Sequence, residues 1–462
     1  MRRRGHLLRI LGLGFGMAAV VGSVIGQGIL RSPGVVANAT GSRALIITLW
    51  VASAVISCLN AFAWVELGAA LPRAGGAYAF VRRAFGGKAG LLAAFALLVS
   101  LLATGGFLNF VVGEFLVRLG VGGGSISPGV FGVGALLLYA LVNASGTRIS
   151  GFSQILLSSA KALTILGLVI ALFAAPGAAP ESQAHPAMLR DGWLPLGTAL
   201  MVTLSTYGGW WNLSYYGEEM QDPGHAVPRA MFGGILGVAA LYIVVNLAML
   251  HVMTPNQMAG SNLVAADAAG IVFGPQGDFL LTCFGVLSVG AVANLSLMTT
   301  TRLTYAIARA GILPRVLSVV GRRGTPIRAM LMVVAAVMLL ILTGSYLTLV
   351  SLSATIFLPV MIAVAVAVIV LRKKEPDLAR PYRVPFYPWT LYLSIAVILA
   401  LMTVYIAQDP FYSLMGFVLV ATMWLLFEIG AWFSGKPGYV GDDVDAGDAY
   451  SATDLQPEAT DG

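Results

Sequence analysis

Twelve runs of apolar residues, each closed by glycine, proline or charge, occupy approximately 10–38, 44–71, 90–117, 129–145, 152–175, 195–220, 230–253, 277–307, 328–343, 346–371, 386–407 and 410–433. Hydrocarbon offers no partner to a backbone N–H or C=O, so apolar runs of about 20 residues must satisfy themselves as spanning helices. The stretch from Met330 to Leu371 is too long for one span and can turn at Thr343-Gly344-Ser345. The expectation is an all-α polytopic membrane protein with 12 transmembrane helices, residues 1–434 forming one domain. With 58% hydrophobic and only 10% charged residues, a soluble multidomain enzyme is excluded.

The distribution of charge orients these spans. With the N-terminus inside, 22 of the 27 Lys and Arg residues fall on the inner side, only Arg31, Arg43, Arg118 and Arg190 face outward, and Lys161 lies within a span. Both termini are therefore expected in the cytoplasm. The start MRRRGHLLRI is not read as a signal peptide, because the apolar run that follows continues to about Asn38. Compact loops and a short N-terminus favour a bacterial inner membrane. Residues 435–462 carry seven acids against Lys436 and few large apolar groups, the composition of a disordered acidic cytoplasmic tail. The net charge of +7 is thus a sum over two compartments and points to lipid and topology, not to nucleic acid.

Two spans break the rule that membrane helices avoid glycine clusters. The first reads Val21-Gly22-Ser23-Val24-Ile25-Gly26-Gln27-Gly28-Ile29-Leu30, and the sixth reads Ser205-Thr206-Tyr207-Gly208-Gly209-Trp210-Trp211 through Gly217. They lie five spans apart and so run in opposite directions. Paired interruptions in inverted halves are a sequence pointer to a transporter's midplane binding site. Freed N–H groups there attract an anion and freed carbonyls a cation, a chemistry suited to a zwitterion. Close helix packing accounts for Gly12 and Gly16, but not for Ser23 and Gln27 at mid-depth.

At these residues the chain resembles the amino acid–polyamine–organocation transporter superfamily, particularly its L-type amino acid transporter branch. The likeness runs through Gly22-Ser23-Val24-Ile25-Gly26-Gln27-Gly28-Ile29, Pro72-Arg73-Ala74-Gly75-Gly76-Ala77-Tyr78, Tyr207-Gly208-Gly209-Trp210 to Gly217-Glu218-Glu219-Met220-Gln221-Asp222-Pro223, and Thr301-Arg302-Leu303 through Ala308-Arg309-Ala310-Gly311-Ile312-Leu313-Pro314. The resemblance implies a leucine-transporter-like fold: a 5+5 inverted repeat over approximately 10–175 and 195–371, helices 1 and 6 unwound, and accessory helices over 386–433. It places a substrate carboxylate on the N–H groups of Gly26, Gln27 and Gly28, and the amino group on the carbonyls of Val24, Ser205 and Gly208. Ser23, Tyr207, Gly209, Trp210, Trp211 and Asn109 would line or gate the pocket. Two departures stand out. Many relatives carry an aromatic gate where this chain has Ser205, and the L-type branch often has Asn where this chain has Trp211.

Lys161 sits nine residues past Phe152, about 14 Å into the fifth span, where an ammonium needs partners such as the carbonyls of the broken first helix. By resemblance it matches the lysine that replaces sodium in sodium-independent members and ties the fifth span to the first and eighth. Thr299 and Thr300 complete the coupling candidates. Glu66, Glu114 and Glu428 are read as interfacial or structural more readily than as proton carriers. Glu218, Glu219 and Asp222 fall where an ion-pair latch or a solvated pair could form at the inner gate.

Four scattered histidines and two cysteines inside apolar runs, Cys58 and Cys283, offer no nucleophile, metal or cofactor constellation, so neither an enzyme nor a metal site is expected. The function expected is a sodium-independent amino acid transporter, an exchanger of neutral L-amino acids by alternating access. A proton-coupled amino acid permease, a polyamine or cationic amino acid permease and, more distantly, a channel are the alternatives. The sequence leaves open a partner subunit or a homo-oligomer.

Overall fold

A computed structural model describes residues 9–26, 28–178, 194–261, 264–321, 323–343, 346–408 and 410–434. The described residues form helices and no named strand. In chain order they are α1 (Leu13–Val24), α2 (Gly28–Thr40), α3 (Arg43–Ala70), α4 (Ala77–Phe85), α5 (Gly87–Arg118), α6 (Pro128–Ala144), α7 (Thr147–Ala174), α8 (Leu194–Thr206), α9 (Pro223–Val252), α10 (Pro255–Ala259), α11 (Val264–Phe273), α12 (Gly277–Arg309), α13 (Ile327–Thr343), α14 (Tyr346–Lys374), α15 (Trp389–Gln408) and α16 (Pro410–Ser434). A 3-10 segment, Trp210–Glu219, follows α8 after a turn. The expected acidic tail lies outside the described residues, as do Gly344 and Ser345 of the expected turn between α13 and α14.

Among the described residues, seven helices are long and apolar enough to cross a membrane: Arg43–Ala70, Gly87–Arg118, Ile149–Ala174, Pro223–Val252, Phe279–Arg309, Ile356–Lys374 and Trp389–Ala407. Each overlaps one of the expected spans. The other five expected spans coincide with two interrupted pairs, α1 with α2 and α8 with the 3-10 segment, with the 17-residue helices α6 and α13, and with α16. Three short helices, α4, α10 and α11, were not expected. The start of α10 is legible in retrospect, since Thr254 and Gln257 form a reciprocal capping box ahead of Pro255.

The long helices bury α5 and α12 most deeply, and these two pack along each other, as α9 does along α3. Against this frame lie the interrupted elements, with α1 packed on α9 and the 3-10 segment, and α2 packed on α8. Glu66 shows how one end of the bundle is closed. It is fully buried, takes a bidentate pair from Arg372 at 2.9 and 2.6 Å, and accepts the Val384 N–H at 2.7 Å. A charge so compensated holds α3 to α14 and to the loop that follows it.

Candidate functional site

The helix of α1 stops at Val24. Ile25 turns extended, with φ −69° and ψ 98°, and helix resumes at Gly28. In the second element α8 stops at Thr206, and Gly209 takes φ 110°, a left-handed value that favours glycine. The structure brings these two interruptions into contact. Ser23 Oγ lies 2.9 Å from Gly209 O, and a Cβ built on Gly209 would fall 2.9 Å from Ser23 O, so the glycine is needed for both its dihedral and the approach. Beside this contact, Ser32 of α2 and Thr206 of α8 share a hydrogen bond of 2.7 Å. Gln27 lies outside the described residues.

Lys161 reaches this junction from α7. It is fully buried and donates to Gly22 O at 2.8 Å and also to Ile25 O, two carbonyls at the end of α1. Carbonyls in the last turn of a helix have no intrahelical donor, and an ammonium with several protons satisfies more than one of them. Among the described residues, Gln154 links α7 to the eighth expected span, its Oε1 accepting from Asn294 Nδ2 at 3.1 Å.

Two of the three carbonyls assigned to a substrate amino group already have internal donors. Val24 O accepts from Tyr242 Oη at 2.8 Å, with Thr206 O 3.4 Å from the same hydroxyl, and Ser205 O accepts from the N–H of Gly208 at 3.0 Å. The Gly26 N–H faces the Tyr242 oxygen. Tyr242, which the sequence does not single out, thus bonds one expected ammonium acceptor and lies beside one expected carboxylate donor. Nothing in its sequence neighbourhood marks it, since a tyrosine in an apolar run declares its hydroxyl partner only after folding. Tyr207 and Tyr242 pack together, both edge-on to Trp50.

Trp211 lies against the second interruption. Its ring is 3.0 Å from where a Gly208 Cβ would stand and its centroid is 4.5 Å from that of Phe357, while Trp210 is buried edge-on to Trp64. Ser205 is exposed, with Tyr405 of α15 beside its hydroxyl. Thr299 Oγ1 meets Tyr216 Oη at 3.0 Å, whereas Thr300 bonds Ser296 O in its own helix at 2.8 Å. Asn109 also bonds within its helix, to Gly105 O at 2.8 Å, and among the described residues no hydrogen bond joins its side chain to either interruption. Glu114 is exposed, and Glu428 Oε1 is buried with no hydrogen-bond partner among the described residues.

Past the second interruption the acids are paired. Glu219 and Arg302 form a bidentate pair of 2.7 and 3.1 Å with side chains 0% and 1% exposed, and Arg302 also lies over the Tyr216 ring. Glu218 accepts from Arg309 at 2.6 Å and from the Ala74 N–H at 3.2 Å. The chain before α1 lies against the same place, with the N–H groups of Ile10 and Leu11 donating to Glu219 O and that of Gln221 donating to Leu11 O. Asp222 pairs instead with exposed His225.

Comparison with known proteins finds relatives over most of the chain. The sequence is 29% identical to the Serine/threonine exchanger SteT of Bacillus subtilis over 84% of this chain and 89% of that protein. It is 29% identical to the Large neutral amino acids transporter small subunit 2 of Rattus norvegicus, over 95% of this chain and 84% of that protein. The Asc-type amino acid transporter 1 of Homo sapiens is 28% identical over 94% of this chain and 84% of that protein. The profile of the amino acid permease family matches residues 16–427, a span holding both interruptions, Lys161 and the paired acids; the chain is a multi-pass membrane protein and belongs to the amino acid permease family.

Proposed function

We propose that this chain is a sodium-independent exchanger of neutral L-amino acids that works by alternating access. In this reading α1 with α2, and α8 with the 3-10 segment, are the interrupted first and sixth of twelve spans in two inverted repeats over approximately 10–175 and 195–371. The accessory helices cover 386–433, and both termini are cytoplasmic. The observation that carries the reading is the junction itself: two helix interruptions joined by Ser23 and Gly209, with the buried ammonium of Lys161 on the carbonyls of the first. A fixed cation at that place supports independence from sodium. The substrate carboxylate is assigned to the N–H groups of Gly26, Gln27 and Gly28, and its ammonium to the carbonyls of Val24, Ser205 and Gly208.

Uptake of labelled amino acids into proteoliposomes, preloaded or empty and with sodium and pH gradients varied separately, tests this. Uptake that needs internal amino acid and ignores sodium supports exchange. Uptake into empty vesicles driven by an inward proton gradient replaces it with proton-coupled transport.

The indole of Trp211 between Gly208 and Phe357 supports a small side chain in the substrate, of the size of alanine, serine or threonine. Trp211→Asn is expected to admit leucine-sized substrates, raising their competition against labelled serine at least about tenfold, as one or more added methylenes in an apolar pocket would. Unchanged inhibition profiles would remove Trp211 from the pocket.

Tyr242 supplies a second handle. Its hydroxyl occupies Val24 O in the structure, so Tyr242→Phe leaves that carbonyl without this donor until substrate arrives. The variant is expected to lose about 0.5–1.5 kcal/mol when empty and to regain much of it with saturating amino acid, read as a larger substrate-induced thermal shift than wild type.

A further inference from the structure

Four polar side chains on three helices form a chain of hydrogen bonds that ends on the backbone of α1. Asn143 Nδ2 of α6 donates to Asn294 Oδ1 of α12 at 2.9 Å, and Asn294 Nδ2 donates to Gln154 Oε1 of α7 at 3.1 Å. Gln154 Nε2 then donates to Ser158 Oγ at 3.2 Å, and Ser158 Oγ donates to Ala18 O at 2.9 Å. Every donor points the same way. The serine has one proton, and giving it to Ala18 leaves its oxygen to accept from the amide behind it. Successive bonds of one sense polarise one another. The base of the chain is anchored in turn, since Thr325 Oγ1 donates to Asn143 O at 3.0 Å.

The contact with α1 has matched register. Gln154, Ser158 and Lys161 are spaced by four and three residues and so share one face of α7. Ser158 and Lys161 reach the carbonyls of Ala18, Gly22 and Ile25, which repeat at the same spacing along α1. Gly22 permits the approach: a Cβ there would collide with Ser158 Oγ and fall 2.7 Å from Gln154 Nε2.

We propose that Ser158, braced by Gln154 and Asn294, is a releasable catch that holds α1 against α7 in the closed arrangement and positions α1 for the transport step. Its chemistry suits release. Ala18 lies inside α1, so its carbonyl keeps its helical donor when the serine leaves, and a serine within a helix can turn its hydroxyl to a carbonyl of its own preceding turn. Neither partner is left bare, in contrast to the Glu219–Arg302 pair, where parting strands two buried charges. The catch therefore biases the equilibrium between closed and open arrangements of α1 without locking it.

This inference rests on the proposed alternating access of the junction, so its test has one arm that needs no transport. In Ser158→Ala, amide hydrogen exchange over Leu13–Val24 is expected to rise about three- to tenfold relative to wild type, the range for one lost hydrogen bond. In proteoliposomes of known orientation, the KM at the face toward which α1 opens falls and the KM at the opposite face rises by a similar factor, because a population shift favours one exposure at the expense of the other. Ser153→Ala serves as control; among the described residues its hydroxyl bonds Ser150 O on the same helix and nothing on α1, and wild-type behaviour is expected. Unchanged hydrogen exchange over Leu13–Val24 in Ser158→Ala, or KM values that move in the same direction at both faces, overturns the catch. Faster exchange over Leu13–Val24 in a protein that moves no amino acid leaves the catch in place and overturns the proposed function instead.

Discussion

Lys161→Ala is expected to abolish amino acid exchange, or to leave exchange that depends on an added monovalent cation. The ammonium is the donor to Gly22 O and Ile25 O at a point where α1 has no further helical donors to give them. Removing it leaves two buried acceptors short, each costing about 1–3 kcal/mol, and takes away the positive charge that offsets them. Lys161→Met keeps most of the packing volume and is expected to fail as severely, which separates the charge from the space it fills. Exchange by the purified variants would be measured with sodium, potassium or choline on both sides. Wild-type kinetics of Lys161→Ala in choline would show that the lysine organises nothing.

Arg302→Met is expected to be the most destabilising single change in the region past the second interruption. Glu219 is fully buried and has its compensating charge from Arg302. Breaking a buried pair from one side costs about 3–5 kcal/mol, whereas replacing both members by neutral groups of similar volume is often close to neutral. The double variant Glu219→Gln with Arg302→Met should therefore recover most of the lost thermal stability in detergent. It should not recover transport to the same degree if the pair also closes one side of the pathway. Equal melting temperatures for the single variant and wild type would mean that water reaches Glu219.

Much of this architecture is written locally. Length and apolarity mark the long helices, and glycine clusters mark both interruptions, because a backbone that leaves the helix in lipid needs residues without side-chain obstruction. Lys161 stands out for its depth alone. What sequence conceals is which polar group meets which. Asn109, Thr299 and Thr300 look equivalent as polar residues in apolar helices, yet Thr299 meets Tyr216 while the other two bond their own helices. Tyr242 and Ser158 carry no local signal, since their roles depend on the approach of a backbone more than a hundred residues away. Short helices such as α4 and α11 escape a search for spans because they are too short to cross anything.

The joint between the two interruptions is chemically lopsided. On the first side it is a side chain, Ser23; on the second it is the main-chain carbonyl of Gly209. No substitution deletes a carbonyl. Neighbouring positions such as Ser205 and Trp211 can therefore change size and polarity while the acceptor stays where it is, whereas Ser23 and Gly209 have little room to drift. Under the proposed function, assembly and selectivity are thus entrusted to different residues only a few positions apart. A lineage built on this joint can acquire a new diet by single steps, each passing through a protein that still folds.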